Sequence, residues 1–233
     1  MTNWIAADKQ GRSVRMWQMP SRQEVETADD PIVMVGSTTV AARSLPCAAV
    51  PDALIRGDAG GWQMSPFEWD GDHSAGAEAC IAGYASENAN WDGVICVVRD
   101  STVWAHVSAG EVISFQRFVT GTLAAALSVA DQWDQDRFLA ALSDAMSRPE
   151  RLAAHLAKAT QSSDMWGALL GAELTAARPY WLGQQVVVIG QGRGASALGD
   201  ALKTQGVPVE FADETDMFLT GLAAAVSAQG GVA

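Results

Sequence analysis

The sequence predicts an α/β protein built in two parts, and three observations lead there. Short apolar runs, several with period-two alternation, crowd the first half of the chain. Longer Ala- and Leu-rich stretches fill the second half. One strand, glycine loop, helix and strand follow each other over residues 185–211. The boundary is placed near residue 120, between a strand-rich part over 1–120 and a helical part over 121–233 that holds the β-α-β unit.

Taken in order, Trp4 to Ala7 is an apolar strand ending at Asp8, and a polar turn with Gly11 leads to an alternating strand from Val14 towards Met19. Residues 20–30 are polar and acidic and predict a surface loop, followed by a short buried strand at Ile32 to Val35. Residues 51–74 mix Pro, Gly, Trp and Asp without a period, which predicts irregular structure with short strands. Gly76 to Ser86 suits a small-residue helix, and Gly93 to Val98 a β-branched strand. Val103 to Val107 and Val112 to Phe118 form a hairpin around Ala109-Gly110. Helices are expected over 122–129, 134–146 and 149–160, with Asp134 as an N-cap and Pro149 in a first turn. A further helix covers 164–181, the β-α-β unit spans 185–211, and a last helix covers 215–228.

Composition narrows the function classes. The chain has 233 residues, 48% hydrophobic and 18% charged, enough for a large core. Its formal net charge of −12 argues against a nucleic-acid partner, which needs clustered Lys and Arg. A small phosphorylated ligand is compatible with it, because one amide-rich or cationic pocket suffices. Cys47, Cys80 and Cys96 lack metal-ligand spacing and read as reduced core thiols. No signal peptide and no membrane-length apolar run is visible, so a cytoplasmic protein without a membrane partner is expected.

Two segments carry chemistry by residue type and spacing. In the first hairpin, backbone amides around Gly11 suit phosphate oxygens, Asp8 at the strand end suits Mg²⁺ held through water, and Lys9 and Arg12 add positive charge; the alternative is an ordinary solvated turn. In the second, Gly190-Gln-Gly192-Arg-Gly194-Ala195-Ser196 joins a strand to a helix, where glycines admit a ligand to the backbone and the helix N-terminus favours anions. The same spacing fits a relaxed dinucleotide fingerprint, with Glu210 and Asp213 where a ribose-binding acid belongs. It also fits a plain tight turn. Asp72, Glu78 and Asp100 are candidate site carboxylates, of the residue type that can act as a general base; each also reads as a solvated loop acid. Asp100, Ser101 and His106 do not make a hydrolase triad, because adjacent strand residues point to opposite faces and no nucleophile elbow is present.

A set of ordered motifs adds a family. They include Ile5-Ala-Ala-Asp8 with Arg15-x-Trp17, Val33-Met-Val-Gly36, Asp70-Gly-Asp72 with Gly76 and Glu78, and Trp91-Asp-Gly93. Trp104-x-His-Val-Ser-Ala-Gly-Glu-Val, Ser114-Phe-Gln116, Thr120-Gly121, Gly171-Ala-Glu173-Leu, Arg178-Pro-Tyr-Trp-Leu-Gly183 and Leu219-Thr-Gly-Leu222 follow. In this order they resemble the 2-dehydro-3-deoxygalactonokinases. The resemblance implies an actin-like ATPase (ribonuclease H-like) sugar-kinase fold with two lobes, shortened here. It implies ATP and Mg²⁺ as cofactors, and phosphorylation of a 2-keto-3-deoxy sugar acid at its terminal hydroxyl. It also implies roles: Asp8 and Asp100 catalytic, with Asp8 towards the metal; Arg15, Asp72 and Glu78 on substrate; Gly11, Arg12, Gly190, Gly192, Gly194 and Ser196 on nucleotide. A homodimer is compatible with it.

The chain also departs from the family pattern. Lys9-Gln10-Gly11-Arg12 replaces Trp-Gly-Thr after Asp8, Ala75-Gly76-Ala77-Glu78-Ala79 replaces Arg-Gly-Glu-Glu-Thr, and Thr122 replaces Glu in Thr-Gly-Glu-Leu. Residues 98–104 depart from Pro-Gly-Thr-His-x-Lys-Trp except at Trp104. Scaffold positions persist while polar groups aimed into the cleft change. Three readings therefore stand: a sugar-acid kinase, a catalytically impaired member that binds ligand or partner, and an NAD-binding oxidoreductase built on Gly190 to Ala195.

Overall fold

The computed structural model describes residues 3–10, 13–36, 40–57, 60–127 and 132–232. They fall into two compact units, one of Met1–Gly93, Ala105–Phe115 and Asp213–Ala233, the other of Val94–Trp104 and Gln116–Ala212. The chain crosses between the units four times. The last helix joins the first unit because its apolar face is buried there, a long-range contact that local composition does not encode.

The first unit opens with β1 (Trp4–Gln10), β2 (Ser13–Met19), β3 (Gln23–Val25) and β4 (Ile32–Val35). Very short strands follow: β5 (Arg43–Ser44), β6 (Cys47–Ala48), β7 (Ile55–Arg56), β8 (Trp62–Gln63), β9 (Phe67–Trp69) and β10 (Asp72–His73). The sheet order β3-β2-β1-β4-β8-β7 puts β1 in the middle, and Trp4 to Asp8 are all buried. β1 pairs antiparallel with β2, Asp8 opposite Arg15, and parallel with β4, Asp8 beside Val35. The hairpin read from alternation is therefore present, and residues 20–30 hold the additional strand β3. Helix α1 (Glu78–Glu87) completes this stretch.

Strands β11 (Gly93–Val98), β12 (Thr102–Ser108) and β13 (Glu111–Phe118) carry the chain across the units. Ala109 and Gly110 both have positive φ, 51° and 78°, as a two-residue turn matching strand twist requires. Asp92 fixes that turn by accepting the Ala109 N–H at 2.8 Å.

The second unit continues with α2 (Thr120–Leu127), α3 (Gln135–Ser147), α4 (Leu152–Leu156), α5 (Ser162–Ala176) and α6 (Arg178–Trp181). Then come β14 (Val186–Gly190), α7 (Gly192–Thr204) and β15 (Val209–Ala212), and α8 (Glu214–Gln229) returns to the first unit. Asp134 caps α3 by accepting the Asp136 and Arg137 amides at 3.0 and 3.1 Å. The helix expected to reach residue 160 stops at Leu156. The Thr160 and Gln161 amides instead donate to Asp164, in the first turn of α5. The stretch expected to run unbroken to Trp181 splits at Ala177, because Pro179 has no N–H to continue it. Val186–Ile189 and Val94–Val97 are buried, and Val94, Cys96, Val186 and Val188 pack with Trp104, Phe138, Leu142, Leu170, Leu174, Leu198 and Leu202 in one core cluster. Cys80 and Cys96 are buried thiols as expected, but Cys47 is only half-buried.

Candidate functional site

Asp100 and the glycine loop both lie in the second unit, and strand pairing relates them. β11 and β14 run parallel with Val98 beside Gly190, so both strands end on the same edge of the sheet. Asp100 follows one strand by two residues, and the loop into α7 follows the other. In parallel sheets the space outside such carboxyl ends is the usual place for a ligand. The two strands approach closely: a Cβ at Gly190 would sit 2.7 Å from the Val98 carbonyl oxygen. Gly192 starts α7 with φ of 71°, a left-handed conformation that suits glycine. Ser196 is turned back on its own helix, donating to the Arg193 and Gly192 carbonyls at 3.0 and 3.3 Å. Arg193, which the residue pattern did not single out, stacks over the Trp133 ring at 4.6 Å.

The Asp100 turn is held from several sides. Thr122 donates to the Asp100 carbonyl through both its amide, at 2.8 Å, and its hydroxyl, at 3.0 Å. Arg99 N–H donates to the Ser101 carbonyl at 3.1 Å. Gly121 lies so close that a Cβ there would be 2.3 Å from the Arg99 carbonyl oxygen. The Asp100 side chain itself is exposed.

In the first unit Asp8 is 4% exposed near the end of β1 and accepts from Gln10 Nε2 at 2.8 Å. Arg15, across the hairpin, is committed elsewhere: Nε and Nη2 donate to Glu24 at 3.0 and 3.2 Å, and the guanidinium lies 4.7 Å from the Trp17 ring centroid. The pair raises Arg15 and lowers Glu24, but half of each side chain is in water. Gly11 and Arg12 lie outside the described residues. Asp72 is half-buried on β10 and accepts the His73 N–H at 2.8 Å. Glu78 is fully buried and reaches back to the loop before its helix, accepting from Ser74 Oγ at 2.5 Å and the Gly76 N–H at 3.1 Å. Arg43 contributes an attractive charge to that cluster. Its Nη1 donates to the Ala48 carbonyl at 2.7 Å, it lies over Phe67 at 4.6 Å, and burial pushes its guanidinium down. Nothing local in the sequence marks Arg43, because its partners come from later strands.

Among the described residues no group of three or more His, Cys, Asp or Glu could hold a metal ion. A lone carboxylate such as Asp8 fits Mg²⁺ that arrives on a nucleotide's phosphates, since that ion keeps most of its waters and takes one or two protein carboxylates. No described helix is long and apolar enough to cross a membrane. Among the described residues the dinucleotide alternative finds no second half. β15 is the terminal strand of its sheet, and Asp213 caps α8 by accepting the Asp216 N–H at 2.9 Å.

The α/β fold is shared with solved structures. A crystal structure from Sinorhizobium meliloti, whose description as a 2-dehydro-3-deoxygalactonokinase is provisional, superposes with a TM-score of 0.80. It is 18% identical in sequence, over 99% of this chain and 98% of that one. The (R)-2-hydroxyglutaryl-CoA dehydratase component A of Acidaminococcus fermentans is 13% identical over 98% and 99% of the two chains, with a TM-score of 0.49. No curated protein matches the sequence. The family model for 2-keto-3-deoxy-galactonokinase matches residues 63–225, well over half of the chain, and the chain belongs to that family.

Proposed function

We propose that the protein transfers the γ-phosphoryl group of ATP to the terminal hydroxyl of a 2-keto-3-deoxy sugar acid, working on small solutes in the cytoplasm. Family membership supplies the reaction class. The observation that carries the reading is the shared edge where Asp100 and the Gly190–Gly194 loop leave adjacent parallel strands. There the amides opening α7 suit nucleotide phosphates, and an exposed carboxylate stands on the neighbouring strand. In the first unit Asp8 would hold the nucleotide-borne Mg²⁺, which supplies charge neutralisation when bound.

On this reading Asp100 takes the proton of the sugar hydroxyl as its oxygen bonds to the γ-phosphorus. The bond from that phosphorus to the β–γ bridging oxygen breaks, and ADP leaves with the electron pair. Such transfer depends on positioning more than on covalent chemistry, so a firmly held turn is what the base needs.

A second reading, binding without turnover, is favoured by one set of contacts. Arg15 and Glu78, two of the three substrate contacts that the resemblance implies, are engaged within the chain by Glu24 and by Ser74 and Gly76. A coupled assay for ADP with ATP, Mg²⁺ and 2-keto-3-deoxygalactonate separates the two. The kinase reading expects turnover that Asp8→Ala and Asp100→Asn each reduce at least about a hundredfold. Calorimetric binding of ATP without ADP formation would establish the second reading instead.

A further inference from the structure

Glu173 is a buried acid for which the reaction above has no use. It sits in the last turn of α5, is 3% exposed, and belongs to a segment that is otherwise apolar or small, Gly167 to Leu174. Such a carboxyl is costly to bury unless donors converge on it. They do. Oε1 accepts from the Trp104 indole N–H at 2.8 Å, Oε2 accepts from the Thr120 hydroxyl, and the Thr102 hydroxyl also donates to the carboxyl. Trp104, Thr102 and Thr120 are themselves 0%, 1% and 6% exposed.

Two of those donors bracket the Asp100 turn. Thr102 begins β12 two residues after Asp100. Thr120 begins α2, whose next two residues lie on the turn: Gly121 seats against the Arg99 and Asp100 carbonyls, and Thr122 donates twice to the Asp100 carbonyl. Glu173 thus ties the strand leaving the turn to the helix that grips it, and the third donor, Trp104, anchors the carboxyl to the core.

We infer that Glu173 is a positioning residue, a buried strut that sets the Asp100 turn beside the carboxyl end of β14. The catalytic part of this inference rests on the proposed role of Asp100; the strut itself does not. It makes a distinction that a general packing role would not. Loss of the carboxyl should loosen the turn selectively, at Thr122 N–H, while the amides of β14 follow only the global stability. Glutamine should largely restore the tie, because its oxygen can still accept from Trp104 and its NH₂ can face Thr120 Oγ1.

The test is native-state hydrogen exchange on the full chain, comparing wild type with Glu173→Leu, Glu173→Gln and the milder Thr120→Val. The expected result is a loss of protection at Thr122 N–H of about tenfold or more beyond the global change in the Leu and Val variants, as removal of one buried hydrogen bond implies. Glu173→Gln should stay within about threefold of wild type. Equal loss at Thr122 and at Val187 and Val188 of β14, or no rescue by Gln, overturns the strut. Thr120→Val keeps the question answerable if Glu173→Leu does not fold. Steady-state kinetics adds the catalytic readout: kcat should fall about ten- to a hundredfold with KM for the sugar acid little changed. Selective loosening with unchanged kcat would leave the strut standing and remove Asp100 from the chemistry. Absent turnover in wild type would count against the kinase reading, while exchange still decides the strut.

Discussion

Replacing Gly83 by alanine should destabilise the protein, although it puts a better helix former into a helix. Gly83 lies in α1, and α1 packs against α8 within the first unit. A Cβ at Gly83 would stand 1.9 Å from the Met217 carbonyl oxygen, 2.8 Å from its carbon and 3.0 Å from Gly221 N. All three are backbone atoms, so no side chain can swing away. Bringing the closest pair back to a tolerable distance moves the helices apart by about 1 Å, through a layer that is fully buried. Overpacking of this kind costs about 3 kcal/mol or somewhat more, and better helix propensity returns only about 1 kcal/mol. The net loss of about 2–3 kcal/mol lowers Tm by about 4–12 °C for a chain of this size. Gly221 meets Ala79 from the other side, its Cβ 1.9 Å from the carbonyl oxygen. One separation of the helices would admit both methyls, so Gly83→Ala with Gly221→Ala should cost clearly less than the sum of the single changes. Thermal unfolding by circular dichroism, with urea midpoints for all three variants, measures this. A rise in stability of about 1 kcal/mol for Gly83→Ala, as propensity alone predicts, would refute the close crossing.

Other expectations follow from the same structure. Gly190→Ala presses on the Val98 carbonyl at 2.7 Å and should both lower stability by about 1–3 kcal/mol and weaken ATP binding in calorimetry; unchanged affinity would separate the loop from the nucleotide. The hydrogen-bonded Arg137 guanidinium holds the Asp164 carboxyl at about 2. That stabilisation is complete above the unfolded value of about 3.9 and disappears as pH falls through the folded one, so Asp164→Asn should flatten the acid limb of stability. Arg137 lies in water for nearly half of its side chain, so the ion pair is strongly screened and Asp164→Asn should shift the urea midpoint at pH 7 only slightly. Burial pushes the Glu173 carboxyl up, against its hydrogen bonds from Thr120, Trp104 and Thr102. Its contribution is therefore full below the unfolded value near ~4.3 and lost as pH rises through the folded one, a dependence that Glu173→Gln should remove from pH-resolved denaturation curves. Burial raises the Cys96 thiol well above its ordinary value, so a thiol reagent should reach Cys47 first and Cys96 only with global unfolding, which mass mapping of the labelled chain can follow.

The parts of the fold legible in the sequence are those with local causes. Alternation and a turn glycine mark β1 and β2, β-branched runs mark β11 and β14, and glycines at the head of α7 mark the loop there. Asp134 reads as a cap because a cap is a local bond to its own helix. The strands between Arg43 and His73 are too short, at two or three residues, to show a period. Asp164 was legible only as a helix residue, because its second role as acceptor for Thr160 and Gln161 decides where α4 gives way to α5. The candidate site follows the same division. Asp100 and the glycine loop are visible as motifs, while their meeting at one sheet edge comes from pairing between strands some ninety residues apart. Glu173 and Thr120 are separated by 53 residues, and only the fold makes them one hydrogen-bonded unit. Glu78 shows the converse: an acid in a familiar motif, fully buried, with one oxygen given to Ser74 and Gly76.

Phosphorus NMR of wild-type protein with ATP, Mg²⁺ and 2-keto-3-deoxygalactonate tests the central claim most directly, since it follows the transferred group itself. The account predicts that the γ-phosphate signal of ATP declines as ADP and one new phosphomonoester appear, the latter coupled to the protons of the terminal methylene. Inorganic phosphate as the only new phosphate species beside ADP, or ATP left intact at concentrations that calorimetry shows to saturate the protein, would contradict it.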